Sequence, residues 1–444
     1  MTTRLKFAII GLGQCGGNLA NAFAKYGYPS MAVNTSILDL KDLANIPENR
    51  KIHTPLNDTD GAGKDPRIGE KAIFSHLPNI LSGIQQFVSG ADAILITAGL
   101  GGGTGSNVAL LGNMLKRFNL PIVALVTIPT NDESALSKVN ALRAINRIVG
   151  ENFDSCIIVD NNKILNQFPD SSLSAFYPQA NDYVVKTFSN FNSLTTEFSA
   201  KSLISFDNED FRKVLLSKGI LIFGETELAA TQINTLDDIL PRLKEIWQTS
   251  GLMAEGFNFA TAASGAISIY APAAILQKTS SRFLNALGEE FKALTNGATC
   301  YFGLYEVPNS STIKISTMLG RLTIPVRLQE MLIEASSEGK NLTQKLAQEL
   351  PTLDISALDA MDLFSNGPDP RSPATGSETN ILSREAMANG TGASYSSEPS
   401  PSSAKETKET KEAKEAREAE LDLENRSYSL EEYVKLKKAK TPAG

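Results

Sequence analysis

The chain has 444 residues, 42% of them hydrophobic and 20% charged, with a formal net charge of −7. That length exceeds one ordinary core, so two domains with additions are expected, and the composition is that of a soluble globular protein. The acidic balance gives no global attraction for nucleic acid. Three cysteines without paired spacing argue against a disulfide framework or a zinc site, and two histidines argue against a histidine metal site or triad.

At the N-terminus, Met1–Lys6 leads directly into an apolar run, Phe7–Ile10, without the apolar core of a signal peptide. No apolar run reaches membrane-spanning length, so a cytoplasmic protein with no membrane insertion is expected. From Leu5 to Asp160, strand-like runs at Leu5–Ile10, Met31–Asn34, Ala93–Ala98, Ile122–Thr127 and Cys156–Val159 alternate with helical patterns. This alternation predicts an α/β domain with a mostly parallel sheet, whose ligands bind beyond the carboxyl ends of the strands.

Glycine loops stand at those ends. The first, Gly11–Asn18, has glycines at its first, third and sixth places, as a dinucleotide fingerprint does. A nicotinamide site also wants an acidic residue near the end of the second strand, where this chain has Asn34-Thr35-Ser36. Another loop, Gly61–Gly69, contains Gly63-Lys64 but fails as a P-loop, since Asp65 replaces the required Ser or Thr and Asp58 the first glycine. It reads equally as a surface turn or as a γ-phosphate contact, with Asp65 able to hold a magnesium-bound water.

The most specific stretch is Gly99–Asn107, GLGGGTGSN, which follows the apolar run Ala91–Ala98 and precedes a predicted helix over Val108–Phe118. Its backbone N–H groups, the hydroxyls of Thr104 and Ser106 and the positive helix end make a phosphate cradle. Two such loops on neighbouring strand ends suit one triphosphate gripped from two sides.

Beyond Asp160 a long helix is predicted over Asp170–Ser199. A second α/β region follows from Gly219 to Gln329, with strand-like runs at Ile220–Phe223, Ala266–Ile269 and Thr312–Ser316. Helical pattern resumes over Leu328–Met361. Past Asn366 the chain is rich in Ser, Pro, Gly, Thr and Asn, a composition that cannot bury a core. An alternating-charge stretch then predicts a solvated helix ending in the basic Tyr433–Lys440, read as a docking tail.

Over most of Leu5–Gln329 the sequence resembles the tubulin/FtsZ superfamily of filament-forming GTPases. GQCG at Gly13–Gly16 is similar to the tubulin form of the first loop, and GGGTGS at Gly101–Ser106 to the superfamily's phosphate loop. Asn107 stands where relatives usually carry glycine. The resemblance implies that GTP is held by Gly13, Gln14, Cys15, Gly16 and Asn18, by Gly63, and by Gly101, Gly102, Gly103, Thr104, Gly105 and Ser106. It further implies Glu133 at the ribose, Arg143 nearby, and Asn161, Tyr177 and Asn181 at the guanine. Tyr177 and Asn181 are one helical turn apart and so share a face; read alone, Asn181-Asp182 is a solvated polar helix surface. Gln14 and Asp65 are implied for Mg2+.

Ser205–Phe211 resembles the loop that relatives insert into the next subunit's site, with Asp207 and Asp210 on its two acidic positions and Ser205 replacing the usual asparagine. Asp207 also reads as the N-cap of a predicted helix over Asp210–Ser217, capping and catalysis then using different carboxylates. The resemblance implies GTP hydrolysis at a head-to-tail contact between copies of the chain, hence filaments. The expected organisation is a GTP-binding domain at 1–170, a connecting helix at 171–200, an activation and polymerisation domain at 201–330, C-terminal helices at 331–365, a disordered linker at 366–403 and a charged helical tail at 404–444.

The Phe206-Asp207-x-x-Asp210-Phe211 loop and Asp160-Asn161-x-Lys163 look like TubZ, the plasmid and phage segregation tubulins. A basic tail that docks a DNA-bound adaptor fits that branch. The first loop, the Val33–Thr35 turn and the spacing from Pro129 through Asn140 to Arg143 are shared with CetZ, the cell-shape tubulins. Two other classes stand beside the filament reading: a nicotinamide-dependent oxidoreductase, and a GTP-binding scaffold that does not hydrolyse.

Overall fold

The computed structural model describes residues 4–56, 59–150, 153–197, 202–248, 254–308 and 310–346. Chain order begins with β1 (Phe7–Leu12), α1 (Gly13–Lys25), β2 (Ser30–Asn34), α2 (Ile37–Lys41), β3 (Lys51–His53), α3 (Pro66–Ser75) and α4 (Leu77–Val88). It continues through β4 (Ala93–Gly99), α5 (Val108–Leu115), β5 (Ile122–Ile128), α6 (Ala135–Gly150), β6 (Ser155–Asp160), α7 (Asn161–Gln167) and α8 (Leu173–Glu197). The C-terminal half comprises β7 (Ser202–Ile204), α9 (Asn208–Leu215), β8 (Ile220–Ala229), α10 (Leu243–Gln248), β9 (Ser264–Ala271) and α11 (Ala273–Leu276). It closes with α12 (Phe283–Thr295), β10 (Thr299–Glu306), β11 (Thr312–Leu322) and α13 (Val326–Leu346). These described residues all fall in one compact unit, Met1–Gln348.

All the strands join one 11-stranded sheet in the order β3-β2-β1-β4-β5-β6-β8-β11-β9-β10-β7. From β3 to β8 every pairing is parallel. Strands covered by helices on both faces are buried throughout, so they read as unbroken apolar runs. In β5, IVALVTI, every residue is buried. Beyond β8 the sheet is mixed, with β11 antiparallel to both β8 and β9 and β9 parallel to β10. The α/β expectation is met. Strands β3, β7 and β10 were not predicted.

The anticipated long helix is present as α8. Its Phe188 and Phe191 rings pack edge-on against Phe7, Phe23 and Phe223 at centroid distances of 5.2 to 6.1 Å, joining β1, α1 and β8. Asn192, fully buried on the same helix, donates to the Leu5 carbonyl at 2.9 Å and accepts from the Leu5 N–H at 3.1 Å. The helix thus pairs the backbone groups of Leu5, just ahead of β1.

The predicted Leu328–Met361 helix appears as α13, which packs against α6. The contact is ionic, with its lysine end buried and its glutamates partly exposed. Lys138 of α6, with no exposed side-chain surface, lies 2.6 Å from Glu338 and 3.2 Å from Glu334, and it donates to the Asn131 carbonyl at 2.7 Å. The rest of the predicted C-terminal helices, the linker and the charged tail lie outside the described residues. Among the described residues no helix is long and apolar enough to cross a membrane.

Candidate nucleotide site

Strands β1 and β4 are neighbours, with Leu12 paired to Ala98, so their two glycine loops emerge side by side. At Gly13, φ is +72° and an added Cβ would stand 3.0 Å from the Gly105 nitrogen. Only glycine meets both demands, the left-handed backbone and the close approach of the second loop. The Thr35 and Thr104 hydroxyls meet at 2.9 Å, tying the end of β2 to the same place.

A cavity of about 750 Å³ opens above these loops, within the range of small-molecule sites. Gly13, Gln14, Cys15 and Asn18 line it from the first loop and α1, Gly63 from the Gly61–Gly69 loop, and Gly101 to Gly105 from the phosphate loop. Cys15 is held at 3.4 Å from the Thr127 hydroxyl, and burial pushes its thiol above the ordinary range. Gly16 and Ser106 do not line the cavity. Gly16 is buried, its carbonyl accepting from the Thr97 hydroxyl at 2.8 Å, and the Ser106 hydroxyl donates to the Gly103 carbonyl at 3.3 Å. Both belong to the loops' internal framework.

The Gly61–Gly69 loop is packed against the phosphate loop and is not a free surface turn. A Cβ on Gly69 would meet the Gly103 carbonyl oxygen at 2.3 Å. Asn107 explains its own departure from the family's glycine, because its amide donates to Gly103 at 2.8 Å and to Pro66 at 3.0 Å and so staples the two loops. Asp65 does not line the cavity. It caps α3, accepting from the Arg67 N–H at 2.9 Å, and pairs with the Arg67 guanidinium at 2.9 Å. That guanidinium holds its carboxyl below the usual carboxylate range.

At the other side of the cavity, Asp160 caps α7 by accepting from the Asn162 N–H at 2.9 Å, which places Asn161 as a lining residue. Tyr177 and Asn181 of α8 both line the cavity, and Tyr177 is 63% exposed with its ring edge-on to Phe176. The polar helix face divides here, since Asp182 turns to α1, 2.9 Å from Lys25 and accepting from the Tyr26 hydroxyl at 3.3 Å. Glu133 lines the cavity and accepts from the Thr130 N–H at 3.2 Å; Arg143 is exposed on α6 and does not.

Sequence reasoning gave no site role of their own to three charged lining residues, Asp39, Lys64 and Asp132, or to one support, Asn140. Asp39 lines the cavity and accepts from Gln14 at 3.0 Å and Asn34 at 2.9 Å. Its signal was Ser36-x-x-Asp39 at the start of α2, the spacing of an N-terminal capping pair. Lys64 and Asp132 also line it. Asn140 of α6 supports the wall, donating to the Lys64 carbonyl at 2.9 Å and the Gly101 carbonyl at 3.3 Å.

Asp207 and Asp210 lie apart from this cavity, at the start of α9. Asp207 accepts from the Asp210 N–H at 2.9 Å, and Asp210 reaches back to the Asp207 N–H at 3.4 Å, a reciprocal capping box. Both carboxylates therefore serve the helix end, where the sequence reading gave capping to Asp207 alone. Partial burial, with the Asp207 charge adding, raises the Asp210 carboxyl above its ordinary value. Behind them Phe206 is buried against Phe211, and its N–H donates to the Tyr305 hydroxyl at 3.0 Å.

Residues 6–169 match the model of the Tubulin/FtsZ family, GTPase domain, and residues 190–332 that of the Tubulin/FtsZ-like protein TubZ-like, C-terminal domain. The tubulin-like protein CetZ of Pyrococcus furiosus is 27% identical over 368 residues, which span 79% of this chain and 97% of that protein. The tubulin-like protein TubZ of Bacillus cereus is 30% identical over 249 residues, 52% of this chain and 57% of that protein. Among solved structures, a GTPγS-form protofilament of TubZ from Bacillus thuringiensis serovar israelensis shares the fold, with a TM-score of 0.65 at 20% identity over 78% of this chain and 96% of that one.

Proposed function

From the premise that this chain is a tubulin/FtsZ-family GTPase with a TubZ-like C-terminal domain, we propose that it assembles head-to-tail into filaments and hydrolyses GTP between protomers. One observation carries the proposal. Most of the residues expected to contact the phosphates and base of GTP line one cavity, whereas Asp207 and Asp210 lie outside it. A second copy docked head-to-tail would bring its acidic pair to the first copy's nucleotide, and a contact of this heterologous kind propagates when its rotation does not close.

In this reading the phosphate-loop N–H groups and the Thr104 hydroxyl hold the phosphates, Glu133 holds the ribose, and Asn161 and Asn181 bond the guanine edge. Asp207 or Asp210 of the incoming copy orients the attacking water. The donor set fits magnesium carried with the nucleotide. Gln14 and Asp39 offer hard oxygen ligands at the cavity wall, and such an ion completes its shell with water and phosphate oxygens. No cluster of three or more His, Cys, Asp or Glu occurs among the described residues, in keeping with a nucleotide-borne ion. When bound, the ion would neutralise phosphate charge.

Tyr177 is assigned to stack on guanine. Tyr177→Ala is expected to weaken GTP binding by about 1–3 kcal/mol, roughly 5- to 150-fold, with Tyr177→Phe near the parent. Equal affinity in the alanine variant, measured by nucleotide titration, would remove Tyr177 from base recognition.

We assign the filament to plasmid or phage DNA segregation because the C-terminal domain matches the TubZ-like model, with the basic tail recruiting a DNA-bound adaptor. CetZ-like cell organisation is the second reading, favoured by the near-complete coverage of the Pyrococcus furiosus relative. The assembly reading is tested by phosphate release across a range of protein concentrations with light scattering recorded alongside. A threshold above which turnover and scattering rise together is expected; turnover proportional to concentration without scattering would mean a self-contained GTPase.

A further inference from the structure

Every described lining residue of the nucleotide cavity lies at or before Val184, yet the wall behind the base is held from the C-terminal half. Arg327, in the first turn of α13, is only 5% exposed. One of its terminal nitrogens donates to the Asn131 side-chain oxygen. The other donates to Glu334 at 3.2 Å, and its Nε stands 3.8 Å from Asp160. Asp160 is itself buried. Burial pushes its carboxyl upward, and the Arg327 charge counters that push, favouring the ionised form that caps α7.

Asn131 and Asn162 form a reciprocal pair. The Asn131 N–H donates to the Asn162 side chain at 3.1 Å, and the Asn162 amide donates to the Asn131 side-chain oxygen at 2.8 Å. Asn161, assigned above to the guanine edge, therefore lies between two neighbours that Arg327 holds, Asp160 by charge and Asn162 through Asn131. The arginine is fixed in turn. The Val326 and Arg327 N–H groups donate to the Gly256 and Glu255 carbonyls at 3.1 and 3.2 Å. At Gly256 φ is +81° and a Cβ would meet the Val326 Cβ at 2.4 Å, so only glycine brings this segment against the helix. The Glu255 carboxylate then reaches Lys163 of α7 at 2.5 Å.

Stability alone does not explain this cluster. Apolar side chains of similar volume often match or better a buried ion pair, and the Arg327 Nε finds no hydrogen bond among the described residues. What a planar guanidinium supplies is direction, because its rigid fork sets where each acceptor must lie. We propose that Arg327 is a positioning residue for base recognition, holding Asn161 at the angle from which it reads guanine. Arg327 does not line the cavity and acts through the residues on either side of Asn161. This rests on the nucleotide reading above.

The test is the ratio of GTPγS to ATPγS affinity, measured by competition on the full-length protein below its assembly threshold. Arg327→Lys keeps the charge and loses the fork. Asn131→Ala, at an exposed position, cuts the same link with every charge left in place; it decides alone if Arg327→Lys does not fold. Each is expected to lower the ratio about 3- to 10-fold, the worth of one or two hydrogen bonds. Asn161→Ala should remove most of the preference for guanine, and in that background neither substitution should lower the ratio further. Parallel loss of both nucleotides, or an unchanged ratio, would make the cluster a structural clasp and overturn the positioning role. Further loss in the Asn161→Ala background would overturn the route through Asn161. A parent without preference for guanine, or an Asn161→Ala variant that keeps it, instead overturns the underlying base reading, and the inference with it.

Discussion

Asp210→Gln is expected to bind GTP and assemble like the parent while turning over at least about 100-fold more slowly, the usual cost of losing a positioned acid or base. The choice of glutamine matters because of the capping box at α9. Alanine would remove the carboxylate and half the box together, so lost activity could reflect a frayed helix end. Glutamine three residues after the cap still reaches the cap N–H, and Asp207→Asn likewise keeps a good N-cap. Both variants preserve the cap and remove a charge. Slow turnover with normal melting and normal GTP binding assigns chemistry to the carboxylates. Normal turnover in both would leave the pair a helix cap and nothing more. Phosphate release above the assembly threshold is the readout.

Gly105→Ala is expected to give a protein that fails to fold or loses all nucleotide binding. The added Cβ would lie 2.2 Å from the Gly99 carbonyl oxygen, and backbone on both sides cannot step away as a side-chain tip can. Overpacking of a tight site costs about 1–3 kcal/mol and more where backbone must move. Gly102 provides the contrast within the same loop, since its Cβ would meet nothing within 4 Å and it lines the cavity. Gly102→Ala should fold normally and weaken GTP binding only by intruding on the ligand's space. Thermal melting with and without GTP separates the two. Equal behaviour would mean the loop relaxes as a whole.

Much of this architecture was legible because the parallel strands are buried on both faces and announce themselves as apolar runs. The glycine loops were legible because their residue types carry the chemistry directly. What escaped depended on distant partners. Strands β3, KIH, and β7, SLI, are too short to show any period. In β10 the pattern breaks at Gly303, for a reason only the fold supplies: a Cβ there would meet the Tyr305 ring at 2.7 Å. Lys138 reads as one more charge on a helix, yet it is buried against Glu338, 200 positions away. Lys64 joined the site through loop packing that no spacing rule encodes, whereas Asp39 carried only the spacing of a capping pair, which says nothing of a ligand. Asp65 looked like a ligand from its place beside Gly-Lys, but Arg67, two residues on, takes its carboxylate.

Among the described residues the sheet ends at β3 on one side and β7 on the other, each three residues long. Unpaired strand edges are templates for indiscriminate lateral aggregation, and short edges offer few backbone groups to a stray chain. For a protein proposed to polymerise, this matters twice. High local concentration along a filament would favour accidental edge-to-edge zippering, which nucleotide turnover could not undo. Blunt edges leave end-to-end docking, the contact that hydrolysis can reverse, as the favoured route to association.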